Sequence, residues 1–211
     1  MTNYNIITEF LCLLVALYVF KGHRSSFWWL FIPFLFFTFL VEVLAMYAWR
    51  DNNWLYNLYV LAQFSFFSFF FYRVTGHRLL RRLILVSALI FLGYALFEYS
   101  FRRSFAVFNL LLFTLDCFFM VLFAIFFLLY CIGENNVSNI SFQFPPLWIT
   151  IGVVIFFSIA SIVFNAYQFI RSHNLKLGGI YLDNIAPQIL SLIMYSCFAY
   201  AFLQWKKLLT K

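Results

Sequence analysis

Seven apolar stretches, at 6–20, 27–47, 54–72, 79–99, 105–130, 147–169 and 181–205, are separated only at charged or turn-forming residues. This pattern limits the chain more than any other feature. A helix of about 20 apolar residues spans the hydrocarbon core of a bilayer while satisfying every backbone N–H and C=O internally. The expected fold is therefore an all-α, seven-helix transmembrane bundle, a single domain over residues 1–211. Only 10% of the residues are charged and 65% are hydrophobic, against about 25% charged in a soluble domain, so a water-soluble core is excluded. The first stretch is short and the fifth long. Uncharged residues 3–5 extend the one, and tilt absorbs the other.

The start of the chain lacks the basic region of a secretory signal, and Lys21 and Arg24 follow the first apolar stretch where a cleavage site would have small residues. That stretch is expected to be retained as a helix. Trp28, Trp29, Trp49, Trp54, Trp148 and Trp205 all fall at or beside a predicted helix end, as indole rings at a membrane interface do. Pro145 and Pro146 open the sixth helix, where a missing N–H is harmless. Pro187 either kinks the seventh or marks its start. The phenylalanine run at 66–71 reads as lipid-facing filler.

The net charge is +7. Because the Lys and Arg residues lie in short connections, their expected partners are anionic membrane lipids, and no nucleic acid is expected. The connections on the C-terminal side hold nine (Lys21, Arg24, Arg73, Arg78, Arg81, Arg82, Lys206, Lys207, Lys211) and the other side holds five (Arg50, Arg102, Arg103, Arg171, Lys176). The positive-inside rule then places the N-terminus outside and the C-terminus in the cytoplasm. The loop at 131–146 pulls the other way, having no basic residue but Glu134 and two glycosylation-type tripeptides, Asn136-Val-Ser138 and Asn139-Ile-Ser141. The basic connection from Arg73 to Arg82 is either a contact for a cytoplasmic or membrane signalling protein or a lipid anchor. Cys12, Cys117, Cys131 and Cys197 show no metal-binding spacing and read as small buried hydrophobes. No cofactor or metal is expected.

Polar side chains within apolar helices normally face protein or a wet cavity, and each is a functional candidate. Their spacing gives every predicted helix one polar or small stripe. The stripes are Asn5, Glu9, Cys12 and Ala16; Thr38, Glu42 and Ala45; Asn57, Leu61, Ser65, Ser68 and Tyr72; and Ser87, Phe91, Tyr94 and Glu98. They continue with Asn109, Phe113, Asp116 and Met120; Ser158, Ser161, Asn165 and Gln168; and Asn184, Gln188, Ser191 and Tyr195.

In alternating helices, Glu9, Asn57, Asn109, Asn184 and Gln188 come early while Glu42, Glu98, Asn165 and Gln168 come late. All are thus expected in one half of the bilayer, with Asp116 nearest the midplane. The expectation is a ligand-binding pocket opening on the N-terminal, outer face. Glu9, Glu42, Asn57, Asn109, Asp116, Asn165, Gln168, Asn184 and Gln188 would line it, rimmed by Glu98, Arg50, Arg102, Arg103 and Arg171. The bland alternative is interhelical hydrogen bonding at about 0.6 kcal/mol per bond, which suits the Ser, Thr and Asn members. A buried carboxylate demands more, namely a cation, a proton or water. Glu98 also suits an i, i+4 pair with Arg102, and Asp183 the start of the last helix.

Several named chemistries fail on the residues. The last helix has no lysine for a retinal Schiff base, and His23, His77 and His173 all lie in connections, so a membrane zinc site lacks its imidazoles. No intramembrane histidine stands near a serine, and no GxSxG occurs. Glu9 and Glu42 leave room for acid–base work on a lipid headgroup if their environments differ.

Pro187-Gln188 resembles the dipeptide of the PQ-loop transporters, but it occurs once and in the seventh helix. The Glu42-bearing helix, Asn57-Leu-Tyr-Val-Leu-Ala-Gln-Phe and Phe144-Pro-Pro-Leu-Trp-Ile resemble small seven-helix bacterial integral membrane proteins. That resemblance implies a fold and a bacterial inner membrane, and no activity. The leading expectation is a receptor-like or accessory sensor module that binds a small molecule or lipid headgroup and signals to a partner. A small-molecule or proton-coupled transporter and an intramembrane lipid-modifying enzyme are the alternatives.

Overall fold

The computed structural model describes residues 4–21, 26–47, 52–102, 104–133 and 144–209. Readings placed on His23, Arg24, Trp49, Arg50, Arg103, Glu134, Lys211 and the Asn136 and Asn139 tripeptides lie outside them. The elements are α1 (Tyr4–Phe20), a 3-10 turn (Phe27–Leu30) running into α2 (Phe31–Tyr47), α3 (Asn53–Val74), α4 (Arg78–Phe97) with a π turn over Glu98–Arg102, and α5 (Leu110–Gly133). Then come α6 (Pro145–Asn165), α7 (Tyr167–Ser172), a hairpin of β1 (Lys176–Leu177) and β2 (Ile180–Tyr181), and α8 (Leu182–Leu209). Six helical segments are long and apolar enough to cross a membrane, and α1 is a shorter apolar one. The chain is an all-α, multi-pass membrane protein.

Its burial pattern is that of a lipid-facing fold. Leu83, Leu85, Leu89, Ile90 and Leu96 of α4 are exposed, while Glu9, Asn57, Gln63, Glu98, Asn109 and Asp116 are buried. In water such a surface would be an aggregation patch; in acyl chains it is the compatible one.

The fifth and sixth helices depart from their expected boundaries. The sixth helix stops at Asn165 rather than 169, and α7 follows as a separate short helix. The fifth begins at Leu110 rather than 105, because Asn109 caps it: its Oδ1 accepts the Leu112 N–H at 3.1 Å, the usual work of an asparagine at a helix start. The last helix keeps Pro187 inside it. In its second turn the proline forgoes only one early hydrogen bond.

The chain divides into two compact units, Met1–Val43 with Asn139–Lys211, and Leu44–Ser138. In the first, α8 packs against both α6 and α1. At one end Trp28 stacks on Phe31 and Trp205 meets Phe20, with the Lys206 ammonium 3.5 Å from the Tyr18 ring centroid. Gly178 and Gly179, at φ 59° and 83°, form the two-residue tip of the hairpin, the left-handed pair such a turn requires.

In the second unit α3 packs against both α4 and α5. The phenylalanine run is not filler. Phe67, Phe70 and Phe71 are buried, and Phe71 meets Phe123 and Phe127 of α5. One turn earlier, Phe64 stacks on Phe91 at 3.7 Å. A helix flanked on two sides buries a wide face, so consecutive aromatics serve both neighbours. The α3–α4 turn is closed by Arg81, whose Nε donates to the Thr75 carbonyl at 2.5 Å, and by the Tyr130 ring lying over Gly76. A Cβ on Gly76 would collide with that ring. Because the far end of the half-exposed Tyr130 side chain can swing aside, Gly76→Ala is expected to lower stability by only about 1 kcal/mol, the low end of overpacking costs. Unfolding midpoints of the single and Gly76→Ala/Tyr130→Ala variants test the cause. The alanine should be nearly neutral once the ring is gone, and an equal penalty in both backgrounds would reject the clash.

Candidate functional site

In the first unit, steps of four and three along α1 place Asn5, Glu9 and Cys12 on one face. Glu9 is only 3% exposed and Tyr195 of α8 only 2%. The Tyr195 hydroxyl hydrogen-bonds the Glu9 carboxyl, and Glu42 of α2 lies within electrostatic range of it. Glu9 Oε2 is buried without a hydrogen-bond partner, and so is Asn5 Oδ1. Phe39, one turn before Glu42, meets the ring of Phe10, the residue after Glu9, at 5.5 Å. Three helices thus bring together two carboxyls, an amide and a phenol.

The other polar candidates of this unit do not join that level. Gln188 and Asn184 come seven and eleven residues before Tyr195 on α8, roughly 10 and 16 Å along it at about 1.5 Å per residue. Trp148 of α6 meets Tyr200 of α8, and Gly152 lies against Met194 and Cys197, so α6 runs antiparallel to α8. Asn165 and Gln168 therefore lie up the unit toward Asn184. Asn184, Asn165 and Gln168 are exposed and Gln188 is half-buried; Asn165 Nδ2 donates to the Ser161 carbonyl of its own helix at 2.8 Å. The expectation that these four share the depth of Glu9 is corrected: α8 is a full 28 residues, and its first turns overshoot the acidic site.

Near the start of α8 Arg171 of α7 donates from Nη2 and Nε to Asp183 Oδ2 at 2.6 and 3.1 Å. Its guanidinium lies 4.1 Å from the Tyr181 ring centroid. The hydrogen bond to Asp183 raises the Arg171 pKa above its ordinary value. Arg171 thus ties α7 to the start of α8.

In the second unit, Asn57 and Asn109 are brought together, along with the segment between helices. Asn57 Nδ2 donates to the carbonyls of Phe105 and Val107 at 2.8 and 2.9 Å, and its Oδ1 accepts the Asn109 N–H at 3.2 Å. All of its principal hydrogen-bonding capacity thus fixes the approach to α5. Asp116, fully buried, accepts from Gln63 Nε2 at 2.9 Å, and its Oδ1 has no partner. Glu98 accepts the Tyr94 hydroxyl at 2.8 Å and pairs with Arg102 at 3.6 Å, as the i, i+4 spacing suggests.

Gln63 is the residue the stripe reading missed. It lies off the Asn57 face of α3, and only the two-sided burial of that helix turns it inward. Ser65, placed on the stripe, is exposed. Among the described residues no three His, Cys, Asp or Glu side chains group as a metal site. No protein-family model, curated protein or solved structure matches the chain.

Proposed function

We propose that the chain is a receptor-like sensor module of a bacterial inner membrane, N-terminus outside and C-terminus in the cytoplasm. Its ligand-responsive element is the Asn5–Glu9–Glu42–Tyr195 site, with the level of Asn165, Asn184 and Gln188 as the way in from outside. One observation carries the reading: Glu9 is buried between helices with an oxygen that nothing satisfies. A buried charge-bearing group without a partner is unfavourable unless something else supplies one. The orientation rests on the distribution of basic residues. Exposed Arg78 and Arg82, one turn apart on α4, suit a cytoplasmic or membrane signalling partner.

Extraction of the chain with its native lipid, followed by mass spectrometry, tests this. A bound small molecule or lipid should be present in wild type and lost from a folded Glu9→Gln variant. Equal occupancy of the two, or none in either, rejects the sensor reading.

Asp116 favours a second reading, a small-molecule or proton-coupled transporter, since it too is buried with an unpartnered oxygen. Reconstituted flux abolished by Asp116→Asn and retained by Glu9→Gln would support transport over sensing.

A further inference from the structure

The hydrogen-bonding inventory of the α1–α2–α8 site is one-sided. Glu9 Oε2 and Asn5 Oδ1 are buried acceptors without donors, and Glu42 adds a carboxyl within electrostatic range. Among the described residues the donor directed at Glu9 is the Tyr195 hydroxyl. Cations of this unit with described contacts are engaged elsewhere: Arg171 by Asp183, Lys176 by Tyr181 and Lys206 by Tyr18. Among the described residues no ion pair reaches Glu9 or Glu42. An anion or a carbonyl compound would add acceptors to acceptors. An ammonium group carries three N–H donors and no acceptor, which is the complement of what the site lacks.

We propose that this site binds a small primary ammonium ion, its N–H groups directed at Asn5, Glu9 and Glu42. The Phe10–Phe39 ring pair, next in sequence to Glu9 and one turn from Glu42, offers apolar surface to the carbon chain of such a ligand. Aromatic faces add to the attraction for an organic cation. This assignment rests on the sensor reading for its site, and it adds the ligand class.

The experiment uses the full chain in nanodiscs of zwitterionic lipid, with ethylammonium chloride as the probe and sodium chloride, ethanol and sodium acetate as controls. Ethylammonium should raise the unfolding midpoint saturably and the controls should not. Glu9→Gln and Glu42→Gln should each weaken the apparent affinity about tenfold or more, one lost charge–charge contact being worth at least that factor; Tyr195→Phe should keep a measurable response. Should a glutamine variant fail to fold, the wild type alone decides: carbodiimide modification of Glu9, read by mass spectrometry, should be slowed by ethylammonium and not by sodium. A response matched by sodium or ethanol, or no protection of Glu9, overturns the proposal. The two readings fail separately. A neutral or anionic native ligand that depends on Glu9 sinks the ammonium class and leaves the sensor. Saturable ethylammonium binding with no native ligand does the reverse.

Discussion

Asn57→Leu is expected to lower the stability of the chain by about 1–3 kcal/mol, chiefly from the buried Asn109 N–H left unsatisfied, because Phe105 and Val107 are partly exposed and water can reach their carbonyls. The wild-type amide donates to two carbonyls and accepts one N–H; leucine matches the volume and replaces none of these bonds. Asn109 would lose the contact that sets its backbone, and with it the geometry by which its side chain caps α5. Amide exchange should therefore rise first over 104–112, and the unfolding midpoint should fall. Asn57→Asp separates the parts, since it keeps the acceptor for Asn109 and loses both donors. It should be less severe for the cap and comparable for the segment. Unchanged exchange over 104–112 in Asn57→Leu would show that the clamp does not hold this region.

This expectation changes how the polar inventory is divided. Asn57 and Asn109 are candidates for ligand contact by composition, yet the Asn57 hydrogen bonds close on the chain, and Asn109 spends its Oδ1 on the α5 cap and keeps only Nδ2 unpartnered. Glu98 is likewise engaged by Tyr94 and Arg102. Glu9 and Asp116 each keep a buried oxygen with no partner, and unlike the Asn109 amide they are carboxyls, whose burial demands a cation, a proton or water. The distinction between joining and binding lies in that residual capacity, and counting polar residues per helix cannot supply it.

Much of the architecture is legible in the sequence because bilayer thickness imposes a length on every span. The Glu9 face of α1 and the Asp116 face of α5 are legible too, since a helix with one buried side repeats every 3.6 residues. The α3 face is not, because α3 packs on two neighbours, which turns Gln63 inward and buries Phe67, Phe70 and Phe71. Nor is relative depth. Position within an apolar run gives a height only if all runs start at one plane, and α8 begins well above the acidic level. That assumption puts Asn184 and Gln188 beside Glu9, whereas Tyr195, later on the same stripe, occupies that place.

Gly152→Leu tests how tightly this depth relation is fixed. A Cβ at Gly152 would stand 3.1 Å from the Cys197 Cβ and 3.2 Å from the Met194 carbonyl oxygen, so α6 and α8 meet there nearly backbone to backbone, the close approach small residues permit in membranes. Alanine needs a shift of a few tenths of an ångström and should lower stability by about 1 kcal/mol; leucine needs the helices to separate and should lower it by about 3 kcal/mol or more. Because Met194 is a backbone obstacle, Cys197→Gly should recover only part of the loss. The separation also has a direction. Met194 adjoins Tyr195, and α8 is held between α6 and α1, so displacement of α8 changes the Tyr195–Glu9 contact. In Gly152→Ala, which should still fold, ethylammonium affinity is therefore expected to fall although no residue of the site has changed. If stability declines through the series while that affinity stays constant, the α6–α8 contact supports the fold without setting the acidic site.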